Sequence, residues 1–154
     1  MQYSSAVVTP RIMKETKLLL EKTPPGVRVT VSEENPRHFL FDIQGPPGSF
    51  YEAGIFKVEI FLPSDYPMSP PKALFRTKVF HPNIDKVGRI CLDILKQDKW
   101  TPALLIEKVV LSIQWLLGAP NLDDPLDTSV ADVFKASPEH AEKTAREWVQ
   151  LYAK

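Results

Sequence analysis

The only cysteine of the chain, Cys91, stands in a segment whose residue types could support acyl chemistry. This segment, residues 81 to 100, shows neither helical nor strand periodicity. Long irregular loops inside a compact domain are usually functional or disordered, and the Trp, Ile and Leu residues of this one argue against disorder. We therefore predict an ordered site loop with a reactive thiol, although a lone cysteine is more often a small buried hydrophobic residue.

Polar residues on either side of the cysteine each have a structural interpretation and a catalytic one. His81 precedes a proline in a turn-forming tripeptide, which favours a structural, hydrogen-bonded histidine over a general base. Asn83 alone is typical of a turn. Asp123 and Asp124 before Pro125 are typical of a helix N-cap, and we assign that role to Asp123. Three histidines and one cysteine without clustered spacing predict no metal site.

The composition is that of one soluble globular domain over residues 1–154, with 44% apolar and 25% charged residues. Nineteen basic and nineteen acidic side chains cancel, so no global field attracts nucleic acid or a membrane surface. Proteins or small molecules are the expected partners. A single cysteine cannot form an internal disulfide, and no apolar stretch is typical of a signal peptide or a membrane span. We expect a reducing compartment, the cytoplasm or the nucleus.

The elements that must position the loop follow an α+β order. Thr9 and Pro10 indicate the start of a helix that runs to about Lys22. Alternating residues then predict three antiparallel strands of a meander, and residues 73–75 predict a short fourth strand. The alternating apolar positions of the first three strands are Val27, Val29 and Val31; Phe39, Phe41 and Ile43; and Phe56, Val58, Ile60 and Leu62.

Helices in the second half of the chain must cover one face of this sheet. Thr101 and Pro102 predict the start of a helix that ends near Gly118. Ser137 and Pro138 predict the start of another. The acidic pair lies between these two helices.

Five stretches of the sequence are specific when they occur together. They are Tyr66-Pro67-Met68 with Pro70-Pro71-Lys72; His81-Pro82-Asn83; Cys91, eight residues after Asn83; Trp100-Thr101-Pro102-Ala103; and Asp123-Asp124-Pro125-Leu126. Over nearly the whole chain they resemble the ubiquitin-conjugating enzymes, which carry ubiquitin as a thioester on a cysteine and pass it to an amine. The resemblance implies the α+β ubiquitin-conjugating (UBC) fold, with an N-terminal helix, a four-stranded antiparallel meander, a long active-site loop and C-terminal helices.

The resemblance also implies four catalytic residues. Cys91 would accept ubiquitin from an activating enzyme, and a thiol of pKa about 8.5 needs no strong base to accept an activated acyl group. Deprotonating an acceptor lysine of pKa about 10.4 at neutral pH costs on the order of 4–5 kcal/mol, and Asp124 would hold that amine. Asn83 would steady the oxyanion or the loop that approaches it, and Leu126 would supply an apolar wall near the thioester.

Two binding surfaces are implied for the enzymes before and after this step. Met68, with Pro102 and Ala103, is similar to the family's two-loop apolar patch for RING-type ligases. Arg11 and Lys14 match basic contacts for the ligase and the activating enzyme. No bound cofactor is implied, because ATP is consumed upstream by the activating enzyme.

A third implied surface would receive ubiquitin itself. Lys108 and Leu111 would lie on the helix against which donor ubiquitin folds, although periodicity alone places Leu111 equally well in the core. Asp93, two residues after Cys91, belongs to the predicted binding residues.

Within the family, the residues around Cys91, together with Glu59 and Phe61, are similar to the member that pairs with a cysteine-less variant and builds lysine-sixty-three-linked chains. Phe61 would be the anchor in the variant partner. Four departures bear on partner affinity and acceptor choice. They are Gln97, which lengthens the loop by one residue; Leu74 and Pro10, which each replace an arginine; and Thr128, which replaces an asparagine.

Three other functions remain open at this stage. One is a general RING-dependent conjugating enzyme that works without a variant partner. Another is a non-catalytic ubiquitin-binding module, against which the presence of Cys91 argues. The third is a cysteine hydrolase, which would need an activating histidine and offers only His81 nearby.

Overall fold

The computed structural model describes residues 8–154, and these residues adopt the predicted α+β order. The elements are α1 (Pro10–Glu21), β1 (Val27–Val31), β2 (His38–Gln44), β3 (Ile55–Phe61), β4 (Lys72–Phe75), a 3-10 turn (Asp93–Leu95), α2 (Ile106–Gly118), α3 (Thr128–Ala136) and α4 (Pro138–Tyr152). No helix within the described range is both long and apolar enough to cross a bilayer.

Helix α1 begins where the sequence predicts and ends one residue earlier, at Glu21. The Thr9 hydroxyl accepts a hydrogen bond from the amide of Ile12 at 3.2 Å, and Pro10 occupies the first helical position. Ile12 and Leu19 are buried on the face that packs against the core.

The sheet is an antiparallel meander in the order β1-β2-β3-β4. In its register Phe41 faces Val29 on one side and Val58 on the other. Alternate residues of β2 and β3 are completely buried, as the period of two predicts. They meet the buried face of α2, so the sheet and this helix enclose the core that supports the cysteine loop.

Two predicted helix starts are wrong. Helix α2 begins at Ile106, not at Thr101, because residues 101–104 close a turn in which the amide of Leu104 donates to the carbonyl of Thr101 at 3.0 Å. Asp123 caps no helix. The N-cap is Asp127, four residues further along the chain, whose carboxylate accepts from the amide of Val130 at 3.2 Å and opens α3.

Candidate active site

The loop that carries Cys91 is ordered by backbone contacts on both sides of the cysteine. The amide of Cys91 donates to the carbonyl of Asn83 at 2.8 Å, and Ile84 bridges Ile90. Gly88 has a φ of +94° and lies beside the last residue of β4, so close that a Cβ atom would stand 2.0 Å from the carbonyl oxygen of Phe75. Only glycine fits there, so the loop packs directly against β4 three residues before Cys91, whose thiol is half-buried.

His81 is a structural residue, as predicted. Its ring is fully buried, Nε2 lies 2.9 Å from the carbonyl oxygen of Leu116, and Nδ1 accepts from the amide of Asn83 at 3.0 Å. Burial lowers the pKa of His81 to about 4, so the ring is neutral at physiological pH. Because Nε2 faces a carbonyl oxygen, it carries the proton, and neither nitrogen is left to act as a base.

Asn83 ties the segment that contains the acidic pair to the cysteine loop. Its side-chain amide donates to the carbonyls of Asn121 at 2.9 Å and Asp124 at 3.2 Å, and its oxygen accepts from the amide of Asn121 at 2.8 Å. The residue is almost completely buried. Two roles were predicted for Asn83: to steady the oxyanion, or to steady the loop that approaches it. This geometry supports the second role, because both side-chain amide hydrogens are directed at the carbonyls of Asn121 and Asp124.

The carboxylate of Asp124 reaches the thiol. Cys91 Sγ donates to Asp124 Oδ2 at 3.7 Å. Burial, and then the negative charge of Asp124, raise the pKa of Cys91 above its ordinary value, while the charge of Lys96 acts in the opposite direction. The thiol is therefore protonated at neutral pH.

Lys96 is part of this site, although the sequence pattern indicated no role for it. Its ammonium lies 3.3 Å from Asp124 Oδ2 and 3.1 Å from Asp93 Oδ1. Hydrogen bonds to these two carboxylates raise the pKa of Lys96. A lysine five residues after the cysteine was the available signal, but only the folded loop brings it to Asp124.

A groove of about 530 Å³ extends from the thiol along one side of α2. Its lining contains Cys91, Asp93 and Asp124 at one end and Lys108, Leu111 and Trp115 on the helix. Leu111 is 39% exposed and Trp115 is 69% exposed, so Leu111 lies at the surface and its placement in the core is wrong. Trp115 was missed, although its spacing of four residues from Leu111 puts both on one helix face.

Leu126 does not line this groove. Its amide donates to the carbonyl of Pro82 at 2.8 Å, and its side chain is 39% exposed. Across residues 8–154, no group of three or more His, Cys, Asp and Glu side chains is arranged to hold a metal ion.

Comparison with known proteins decides the family. The pattern described as "Ubiquitin-conjugating enzyme" matches residues 11–149. The chain belongs to the ubiquitin-conjugating enzyme family. It is 54% identical to the Drosophila melanogaster protein named "Ubiquitin-conjugating enzyme E2 N" over 93% of this chain and 94% of the relative. It is 51% identical to "Ubiquitin-conjugating enzyme E2 13" of Saccharomyces cerevisiae, over 94% of each chain.

A solved structure shows the same fold. The E2 domain of a Toxoplasma gondii ubiquitin conjugating enzyme superposes with a TM-score of 0.86 at 39% identity, covering 94% of this chain and 98% of that one. The chain is therefore a ubiquitin transferase of the UBC fold, and such an enzyme works with ubiquitin, an activating enzyme and a ligase. The cysteine hydrolase and the non-catalytic module are set aside by this result.

The conjugating enzyme presents the residues of the predicted ligase patch at its surface. Met68 is 66% exposed, and Pro102 and Ala103 are exposed. On α1, Lys14 is exposed, whereas Arg11 is half-buried and donates to the carbonyl of Leu104 at 2.8 Å. Arg11 thus contacts the segment that directly follows Pro102 and Ala103 as well as facing solvent.

The predicted variant-binding strand of the enzyme is β3. Phe61 is half-buried, and its ring stacks on His38 with 4.4 Å between ring centroids. Glu59 accepts two hydrogen bonds from Arg76, at 2.6 and 2.9 Å, and these bonds lower the pKa of Glu59. Leu74 is paired with Glu59 in the strand register and carries no charge. The arginine that binds the Glu59 carboxylate is Arg76, two residues after Leu74.

Proposed function

We propose that this conjugating enzyme carries ubiquitin as a thioester on Cys91, transfers it to lysine amines, and builds lysine-sixty-three-linked chains with a cysteine-less variant partner. The observation that carries the catalytic part is the half-buried thiol at the end of an open groove, with a carboxylate oxygen 3.7 Å from the sulfur. This arrangement provides an acyl carrier, a path for the acyl chain and a group that can hold an amine.

Charging is a thioester exchange. Cys91 Sγ attacks the carbonyl carbon of ubiquitin on the activating enzyme, a new S–C bond forms, the old S–C bond breaks, and the proton of the Cys91 thiol passes to the departing sulfur. Because burial and the charge of Asp124 keep the thiol protonated at neutral pH, the charging rate should rise with pH as the thiolate becomes more populated.

Transfer to lysine needs an amine that has lost its proton. The neutral amine attacks the thioester carbon, a C–N bond forms, the C–S bond breaks, and one amine proton is passed to the departing sulfur. Asp124 is the group positioned to hold the amine beside the thioester, and its side chain is 61% exposed, so an acceptor can reach it. In the free enzyme Lys96 occupies the same carboxylate oxygen, and we propose that the acceptor ammonium displaces it.

The groove along α2 is the proposed seat of the ubiquitin C-terminal tail and of part of the donor. Lys108, Leu111 and Trp115 offer a cationic and apolar face beside it. An extended tail placed there would keep donor ubiquitin from sampling orientations that point its thioester away from the acceptor, which lowers the entropic part of the barrier.

The ligase and variant surfaces complete the proposal. The exposed Met68, Pro102 and Ala103 would provide an apolar patch suited to a RING-type ligase, and the exposed Lys14 on α1 would add a cationic contact. Glu59 and Phe61 on β3 support binding of the variant partner. We further propose that the enzyme works in the cytoplasm and nucleus, where a free thiol persists, and imaging of a tagged chain would test this.

A second candidate is a conjugating enzyme that works without a variant. One observation favours it: the Glu59 carboxylate is already engaged by Arg76, and Leu74 offers no positive charge of its own. A variant partner that needs the carboxylate would have to compete with this ion pair.

Chain synthesis with and without a purified variant protein separates the two candidates. We expect lysine-sixty-three-linked chains only when both proteins are present, and a complex that elutes ahead of either protein on gel filtration. Equal chain synthesis with and without the variant, and separate elution, would reject the heterodimer and leave the solitary enzyme.

A further inference from the structure

One buried carboxylate, Glu15, joins the segments that carry the ligase patch. Its side chain is 6% exposed and points inward from the middle of α1. Oε2 accepts from the hydroxyl of Tyr66 at 2.6 Å and from Arg11 Nε at 2.8 Å, and Oε1 accepts from the amide of Ile106 at 2.8 Å. Both oxygens are therefore used, and their partners come from three different parts of the chain.

The bond to Ile106 caps a helix. Ile106 is the first residue of α2, and the N-cap residue Leu105 makes no side-chain capping bond. The first amides of a helix have no partner within the helix, and a negative charge is favourable there. Glu15 supplies that acceptor from α1, and so fixes the point at which the loop carrying Pro102 and Ala103 ends.

The hydrogen bond from Tyr66 to Glu15 fixes the loop that carries Met68. Tyr66 is buried and lies two residues before Met68. Burial and the hydrogen bond to Glu15 raise the pKa of Tyr66, so its hydroxyl remains a donor at physiological pH. Trp100 links the two loops directly as well, since its indole N–H donates to the carbonyl of Pro67 at 2.8 Å.

We propose that Glu15 is a positioning residue for ligase recognition, which sets the distance between Met68 and the Pro102 and Ala103 pair without itself contacting the ligase. This rests on the proposed function, since it assumes that the apolar patch binds a RING-type ligase. Hydrogen bonds to a charged acceptor are the stronger kind, and a surface held in its bound shape loses less entropy on association.

Two substitutions test the role. Glu15→Gln keeps the shape of the side chain and removes its charge. Tyr66→Phe removes the hydrogen bond from the Tyr66 hydroxyl to Glu15 and leaves Arg11 paired with Glu15. The matched control is Glu21→Gln, the same change at an exposed position of α1. The readout is the ligase concentration that half-saturates the discharge of ubiquitin-charged enzyme, measured beside charging and ligase-free discharge to free lysine.

We expect Glu15→Gln and Tyr66→Phe to raise the half-saturating ligase concentration about five- to tenfold, a binding loss comparable to the net contribution of one ordinary hydrogen bond. Ligase-free discharge should stay within about twofold of the unchanged enzyme, which a general loss of folding would not allow. Amide hydrogen exchange should become faster at residues 63–71 and 100–106 and stay unchanged in β2.

Unchanged ligase dependence in both variants would overturn the positioning role. So would an equal loss in ligase-free discharge, which would make Glu15 a residue of general stability. The proposed function fails separately: if the unchanged enzyme takes up ubiquitin and no RING-type ligase accelerates its discharge, the patch is not a ligase surface and Glu15 has no such role.

Discussion

Removing the charge of Asp124 should have opposite effects on the two halves of the reaction. In Asp124→Asn the side chain keeps its size and an oxygen acceptor, but the negative charge 3.7 Å from Cys91 Sγ is lost. That charge disfavours the thiolate and raises the pKa of Cys91, so its removal should make the thiol easier to ionise.

The size of this effect follows from Coulomb's law. Because Asp124 is 61% exposed, the surroundings are close to water, where two unit charges at 3.7 Å interact by about 1 kcal/mol. This corresponds to roughly a fivefold change in an equilibrium constant. The positive charge of Lys96 already screens part of it, so we expect the thiolate population to rise about three- to fivefold.

Alkylation of Cys91 by iodoacetamide at pH 7 measures that population, because only the thiolate reacts. Asp124→Asn should be alkylated about three- to fivefold faster, while its discharge to free lysine becomes slower because the acceptor amine loses its carboxylate. Asp123→Asn is the matched control for the change in net charge. Unchanged or slower alkylation of Asp124→Asn would refute the electrostatic reasoning, and equal losses in charging and discharge would remove Asp124 from the acceptor role.

Three further substitutions have distinct expected outcomes. Asn83→Ala removes three hydrogen bonds to partly buried backbone groups of Asn121 and Asp124, and urea unfolding should show a loss of about 1–3 kcal/mol with slower discharge; full stability would contradict its role. Trp115→Ala should leave the melting temperature nearly unchanged, because the ring is 69% exposed, and should slow discharge; normal discharge would exclude the ring from the donor surface. Phe61→Ala should weaken variant binding in calorimetry with normal charging, and an unchanged affinity would show that Phe61 is no anchor.

Local patterns predicted the parts of the fold that depend on local physics. Apolar residues at every second position identified β2 and β3, since one face of each strand must enter the core. Thr9 and Ser137, each followed by proline, marked the starts of α1 and α4 correctly. The same signal failed at Thr101, because the bond that starts α2 comes from Glu15, 91 residues away in the chain.

The site was predicted through its motif and completed only by tertiary contacts. His81 was assigned correctly because a proline-linked turn is a local feature. Lys96 was missed because its role depends on a contact with Asp124, a residue 28 positions away in the chain. The N-cap before α3 was assigned to Asp123 instead of Asp127, because Asp127 is followed by two further residues of the N-cap type, Thr128 and Ser129, and resembles a loop.

The most direct test of the catalytic proposal is a charging reaction with purified enzyme, ubiquitin, activating enzyme and ATP, resolved on gels with and without reductant. We expect a band heavier by one ubiquitin that reductant removes, no such band with Cys91→Ala, and a reductant-resistant ester with Cys91→Ser. Absence of the band from the unchanged enzyme, or its persistence in Cys91→Ala, would contradict the assignment of Cys91 as the ubiquitin carrier.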